Sequence, residues 1–290
     1  FRQIKSLLPG HFAVLTPENF TDHTYWKLEA HEHEDDLPTT IERTHELICD
    51  AARRQLVSDV PLACFLSGGL DSSILSMLAA KDYAARSETL HTWSVDYRDN
   101  DKYFTKSIFQ PNSDNSYIDQ MVDFLGTHHH RVVLEPEALC AALLPATDAR
   151  ALPGMADVDS SLLLFCAAVK RGGTTVCLSG ECADELFGGY PWFHRESMLD
   201  CGTFPWTPTL APRKSLLNAD FANTLRMEDY VKNAYDRAVS EVDILPMENE
   251  TETSRRRIGY LSIKIFYADT VKPHGQNQHE HGTGSACAVA

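Results

Sequence analysis

The sequence predicts an α/β protein: a doubly wound parallel sheet followed by a mainly helical part. Three observations lead there. Short apolar runs at residues 59–66, 90–97, 131–134 and 174–178 alternate with longer stretches of helical character. Alternation of this kind builds a parallel sheet with helical crossovers on both faces. The first and last of these runs lead directly into glycine-bearing turns, Ser67-Gly68-Gly69 and Ser179-Gly180, at the strand ends where open α/β sheets bind ligands. Beyond Tyr190 the strand-like runs give way to helical pattern, with Pro205, Pro208 and Pro212 breaking a loop.

Residues 1–40 read as a connector, and the acidic, polar stretch 29–36 is a linker by composition. Thr39-Thr40 then caps a long helix whose apolar face holds Ile41, Leu47, Ile48 and Ala51, ending near Val57. The run 59–66 is uniformly apolar, as a strand covered on both faces should be. Residues 74–80 have helical composition, and Ser72 or Ser73 is placed to cap that helix. After the second strand come a polar stretch and a helix over 114–125. His128-His129-His130 precede the third strand. Adjacent side chains point apart, so they read as a polar lead-in rather than a metal cluster. A helix over 137–144 follows, Val158-Asp159-Ser160-Ser161 opens another over 162–170, and the fourth strand ends at Leu178.

At 290 residues with 43% hydrophobic content, the chain can bury a sizeable core. A net charge of −15 argues against a nucleic-acid or anionic-membrane surface, since both need a basic face. A nucleotide site is still allowed, because backbone amides and a metal ion can carry the phosphate charge. No apolar run is long enough to span a bilayer. Of the eight cysteines, Cys49, Cys64, Cys140, Cys166 and Cys177 sit inside apolar patterns, and no CxxC pair occurs. Buried thiols in a reducing, cytoplasmic setting are the expectation.

Chemistry concentrates in Ser67-Gly68-Gly69-Leu70-Asp71-Ser72-Ser73. A strand, a glycine turn and a helix start present free N–H groups to an anion. Gly68 and Gly69 admit phosphate oxygens close to the backbone, and Ser67, Ser72 and Ser73 add hydroxyls. Asp71 would repel a pyrophosphate unless it held a divalent cation. The lysine of a GxxxxGK[ST] loop is absent, which excludes the kinase and GTPase type of site. Either Asp71 or Asp184 alone reads better as a helix cap. As a pair at one sheet edge they could together hold a divalent cation, and the resemblance of their motifs to a known family decides for that role.

The Ser67–Ser73 string resembles the PP-loop of ATP pyrophosphatases, which cleave ATP between its α and β phosphates. The stretch Leu178-Ser179-Gly180-Glu181-Cys182-Ala183-Asp184-Glu185-Leu186-Phe187-Gly188-Gly189-Tyr190 resembles the second signature of asparagine synthetases, usually LSGEGADE(L/I)FGGY. The segment from Leu152 to Ser161 fits the glutamine-hydrolysing form of that family. The resemblance runs to about Tyr267. It implies a PP-loop ATP pyrophosphatase fold for residues 41–270 and amidation of aspartate by ammonia through β-aspartyl-AMP, with ATP and Mg2+ as cofactors and in the intact family member a homodimer. By resemblance Leu66, Ser67, Gly68, Gly69, Asp71, Ser72, Ser73, Val95, Ser179 and Gly180 bind ATP, Asp71 and Asp184 hold the metal, and Glu181 is catalytic. Cys182 replaces the usual glycine. If that position needs a positive φ, its Cβ costs on the order of 1 kcal/mol. Rival readings are a related PP-loop amide ligase, of the β-lactam synthetase kind, and an inactive nucleotide-binding remnant.

Both ends depart from the family. Phe1 to Thr16 resemble the end of a glutaminase domain whose nucleophilic cysteine is absent, so glutamine hydrolysis is not expected. Residues 271–290 show no hydrophobic period and read as a disordered tail. Read one nucleotide out of frame with full codon degeneracy, His274 to Val289 permit M-D-K-I-S-M-S-M-G-L-E-V-R-V-P, close to the family's next motif, so a frameshift is expected there. The preceding helix should then expose Ile263, Ile265 and Phe266.

Overall fold

The computed structural model describes residues 7–106, 113–152, 154–267 and 284–287. They form two compact units: 35–191 with the 284–287 strand, and 7–34 with 192–267.

The 35–191 unit is the predicted α/β layer structure. Helix α1 (Leu37–Gln55) starts at Asp36, whose Oδ1 accepts the Thr39 N–H at 3.0 Å. The cap is therefore Asp36 and not the two threonines, because Pro38 sits at the start of the helix, where its missing N–H costs nothing. The buried stripe of α1 is Cys49, Ala52 and, just past its end, Leu56, while Ile41 and Leu47 stay exposed. Spacings of three and four residues select one face, and Ile41 and Leu47 lie off it.

Strand β3 (Leu62–Phe65) pairs in parallel with β4 (His91–Tyr97) and β6 (Val176–Ser179), and β4 pairs with β5 (His128–Leu134). The helices between them are α2 (Leu70–Ala85), α3 (Asn100–Tyr103), α4 (Asn115–Leu125), α5 (Pro136–Arg150) and α6 (Ala156–Arg171), with α7 (Ala183–Phe187) after β6. Alternate residues of β3 feed different cores. Leu62 and Cys64 pack with Leu56, Ala79, Leu90 and Leu178, whereas Ala63 packs with Trp93, Phe165, Val169 and Cys177. Both faces of the sheet are covered, which explains the uniformly apolar sequence of this strand. Each fully buried leucine adds about 1.5–3 kcal/mol.

The histidines correct one expectation. His128, His129 and His130 are strand residues, in register with His91, Thr92 and Trp93. On one face His130 Nε2 lies 2.9 Å from His91 Nδ1 and its ring stacks on Trp93. On the other, His129 bridges the hydroxyls of Thr92 (3.0 Å) and Ser94 (2.9 Å). Cross-strand partners, invisible in a local reading, draw polar residues into the ladder. No cluster of metal-binding type is found among the described residues.

In the other unit, the stretch read as a connector carries an antiparallel hairpin, β1 (His11–Leu15) and β2 (Phe20–Thr24). The helices here are α8 (Glu196–Leu199), α9 (Ala211–Lys214), α10 (Ala219–Leu225), α11 (Met227–Ser240) and α12 (Glu250–Leu261). Pro212 opens α9 rather than breaking a loop, as a first-turn proline does. Phe204, Ala238 and Leu261 form the core, with Trp206, Tyr235 and Ile265 packed on it. A π-helical turn, Ser262–Tyr267, continues α12 and places Phe266 edge-on to Trp192 at 5.4 Å. Ile263, Ile265 and Phe266 are thus half-buried rather than exposed, since Trp192 and Trp206 supply aromatic surface for this turn.

Of the tail, residues 284–287 form β7 (Gly284–Cys287), parallel to β6 with Val176 opposite Gly284. The open N–H and C=O groups of an edge strand template such pairing even without an apolar pattern. The remaining tail expectations lie outside the described residues.

Candidate active site

Phosphate-loop chemistry depends on where the helix begins. The N-cap of α2 is Gly69, with no side-chain cap, so Leu70, Asp71, Ser72 and Ser73 already lie in the first turn. Neither serine is therefore the cap. Ser72 Oγ instead accepts the Ser67 N–H at 3.2 Å and donates to the Gly69 carbonyl at 3.2 Å, with Ser67 Oγ 3.0 Å away. The Ser73 N–H donates to the Gly69 carbonyl at 3.1 Å. This ring of hydroxyls fixes the turn, and the N–H groups ahead of it point out of the helix end, where an anion is stabilised. Gly68 adopts φ +80°, and a Cβ there would sit 3.0 Å from the Asp114 carbonyl oxygen and 3.0 Å from Tyr117 Cβ. Glycine is required at this point for both conformation and space.

The second turn is built alike. β6 ends at Ser179, whose Oγ accepts the Glu181 N–H at 3.3 Å. Cys182 caps α7 with φ +79°, so the replacement of glycine does fall in the left-handed region. Asp184 is then the second residue of α7, just as Asp71 is the second residue of α2. Since β3 and β6 are parallel neighbours, the two turns lie side by side. A Cβ on Gly180 would come within 3.0 Å of Asp71 Cβ and 3.0 Å of the Ser72 nitrogen. Gly189 closes the far side: a Cβ there would fall 1.8 Å from Asp184 Oδ1.

Burial first, and the charge of Asp184 second, push the Asp71 carboxyl above its ordinary value. Burial likewise raises Asp184. Glu185, also raised by burial, is 4% exposed and accepts a hydrogen bond from the Tyr190 hydroxyl at 3.1 Å. Two half-buried carboxylates, both raised by burial and one also by the other's charge, fit a divalent cation, which would relieve both. Mg2+ is commonly held by one or two carboxylates together with substrate phosphates. Glu181 is half-buried in the same turn, and burial chiefly, with the charge of Glu181 second, pushes the Cys166 thiol up to about 12.

Beside the phosphate loop opens a cleft of about 240 Å3, lined by Leu66, Ser67, Val95, Asp96, Asn100 and Asn115 among others. Leu66 donates its N–H to the Trp93 carbonyl at 2.8 Å, holding the β3 and β4 ends together at the cleft floor. The structure therefore gathers the sequence-predicted Leu66, Ser67 and Val95 at the cleft, and Asp71, Ser72, Ser179, Gly180, Glu181 and Asp184 around the two turns. A larger hollow of about 880 Å3 belongs to the 192–267 unit, and none of the ATP-binding, metal or catalytic residues expected from the sequence lines it.

Sequence reasoning missed three neighbours of the site, Asp96, Asn100 and Asn115. Asp96, which lines the cleft, is bound by Asn100 and Asn115. Asn115 lies nineteen residues from Asp96, and a partner that far apart in sequence leaves no local signal. Gly189 was visible as part of a motif, but not its closeness to a carboxylate.

A parallel sheet with two acidic strand-to-helix turns at the ends of its central strands is the architecture of a PP-loop α/β domain. A family model described as asparagine synthase matches residues 43–283. The chain belongs to that family. It is 42% identical over 267 residues to asparagine synthetase [glutamine-hydrolyzing] 3 of Bacillus subtilis, covering 92% of this chain and 43% of that protein. Asparagine synthetase B of Escherichia coli is 31% identical over 153 residues, 50% of this chain and 26% of that one. An amidase, chry2, of Gibberella zeae is 30% identical over 205 residues, 68% of this chain and 30% of that one. The chain thus spans less than half the length of these relatives. The family match extends to residue 283, beyond the Tyr267 limit of the sequence resemblance.

Proposed function

We propose that this chain carries the ATP-dependent amide-forming half of asparagine synthesis: aspartate is activated by MgATP and then amidated by ammonia. The observation that carries this reading is the convergence of Asp71 and Asp184 from adjacent strand ends, beside the helix start that faces a phosphate. The N–H groups at the start of α2, with Gly68 and Gly69, receive the β- and γ-phosphates. Asp71 and Asp184 hold Mg2+, which when bound neutralises phosphate charge and orients the pyrophosphate leaving group. The nucleoside occupies the cleft against Leu66 and Val95, and Ser179 and Gly180 border the α-phosphate.

The aspartate β-carboxylate attacks the α-phosphorus, an O–P bond forms as the bond to pyrophosphate breaks, and β-aspartyl-AMP results. Ammonia then attacks the acyl carbon, AMP leaves, and Glu181 takes the proton lost from nitrogen. This chemistry is mainly alignment and charge neutralisation, which suits a site made of amides and carboxylates. A cytoplasmic location fits the deeply buried thiols of Cys64 and Cys177, and no helix among the described residues is long and apolar enough to cross a membrane.

Aspartate-dependent exchange of labelled pyrophosphate into ATP tests the proposal. Exchange with aspartate supports it. Exchange with a different carboxylic acid would transfer the site to a related amide ligase, and none with any acid would leave a nucleotide-binding remnant.

A further inference from the structure

Asp96 ends the β4 strand region at the mouth of the cleft, and its carboxylate is tied on three sides. Oδ1 accepts the Tyr97 N–H at 2.8 Å and the Asn100 side-chain amide at 2.9 Å, while Oδ2 accepts the Asn115 side-chain amide at 2.9 Å. Asn115 is the first residue of α4, and the first turn of α4 lies against the phosphate loop. A Cβ on Gly68 would meet the Asp114 carbonyl oxygen, Tyr117 Cβ and the Ile118 nitrogen at 3.0, 3.0 and 3.1 Å. The bond between Asp96 and Asn115 thus joins the end of one central strand to the element that backs the loop on the next.

We propose that Asp96 and Asn115 form a positioning clamp, seating the start of α4 against Gly68 and so fixing the phosphate loop in the shape that receives pyrophosphate. The inference rests on the nucleotide reading of the site and adds residues that neither signature motif contains. Alignment is the main service the protein performs in phosphoryl chemistry, so a backing element that shifts by a fraction of an ångström should be felt in affinity. Burial alone would raise the Asp96 pKa. The hydrogen bonds from Asn115, the Tyr97 N–H and Asn100, with Arg131 nearby, outweigh it and hold the carboxyl below its ordinary range. The anchor therefore stays ionised, and its bonds to the amides are the strong, charge-assisted kind.

Calorimetric titration of the full chain with inorganic pyrophosphate in Mg2+, and separately with MgATP, tests the clamp. Asp96→Ala and Asn115→Ala should each weaken both ligands about 10-fold, the scale of a supporting-residue loss. The double variant should be no worse than Asp96→Ala alone, because the bond to Asn115 is then already broken. Asp96→Asn keeps the shape and lets Asn115 turn its carbonyl to accept, so it should restore affinity. If the alanine variants fail to fold, Asn115→Asp decides: it preserves size, opposes the Asp96 charge, and should weaken both ligands in the same way. Unchanged pyrophosphate affinity with weakened MgATP would make Asp96 a nucleoside contact and overturn the clamp, as would additive losses. Should the unsubstituted chain bind neither ligand, the nucleotide reading itself fails and the clamp with it. Normal binding by the parent with unchanged variants overturns the clamp alone.

Discussion

The turn from β3 to α2 and the turn from β6 to α7 are two solutions to one backbone problem. Each leaves a central parallel strand, passes through a residue in the left-handed region, and starts a helix whose second residue is an aspartate. The left-handed residue is Gly68 in one, at φ +80°, and Cys182 in the other, at φ +79°. The dihedral is the same and the residue is not. What differs is space: the first turn of α4 closes on Gly68, whereas the Cys182 side chain is accommodated in the interior, 9% exposed. Backbone strain alone, on the order of 1–2 kcal/mol, does not compel glycine. The neighbour does.

That comparison can be broken at the carboxylates first. Gly189→Ala should have the largest effect, because its methyl would fall 1.8 Å from Asp184 Oδ1 and displace the carboxylate. Loss of most Mg2+-dependent ATP affinity, on the order of 100-fold, is expected by calorimetry with the helical circular dichroism retained. Affinity within about twofold of the parent would remove Asp184 from the metal site.

Exchanging the left-handed residues comes next. Gly68→Ala should cost about 2–3 kcal/mol, combining the dihedral with overpacking against α4. Cys182→Gly should change stability by less than about 1 kcal/mol, since relieved strain and lost packing oppose each other. Urea unfolding measures both. Equal costs would show that space does not separate the two turns.

The smallest effect is one of pH, and it sets the sheet centre against its edge. Burial, aided by the charges of Arg131 and His130 and opposed by Asp119, lowers His129 to about 4. The fold prefers this ring neutral. Its contribution is therefore complete above an ordinary histidine pKa of about 6.5, is lost as pH falls, and stops falling near 4. Asp71 and Asp184 have raised values and act with the opposite sign, costing stability as pH rises through them. His129→Gln should lose less stability than the parent between pH 7.5 and 4.5 in urea titrations, both values being chosen to bracket roughly the histidine window. An equal loss would place the acid sensitivity elsewhere.

Much of this was legible beforehand, and the reason is local order. Strand, glycine turn and helix start are adjacent in sequence, so 67–73 and 179–184 disclosed both a conformation and a chemistry. The four strands followed from apolar runs, of which those in β3, β4 and β6 are the largely buried ones. Where the sequence misled, a partner outside the local pattern had intervened, distant in two cases and only three residues away at the α1 cap. Trp93 and His91 drew the histidines into β5, Asp36 took the cap from Thr39, and Trp192 and Trp206 shielded Phe266. The Asp96–Asn115 bond spans nineteen residues, and no periodicity announces such a contact.

The most direct test of the account asks whether the two turns act as one site. MgATP affinity would be measured by calorimetry for the parent, Asp71→Asn, Asp184→Asn and the double variant, with thermal unfolding in the absence of metal as a companion reading. If both aspartates hold one ion, each single variant loses nearly all metal-dependent affinity and the double variant loses little more. Each should also unfold at a higher temperature than the parent without metal, because a buried, mutually repelling charge has gone. Additive losses from two independent contributions, or MgATP affinity unchanged in either single variant, would contradict it.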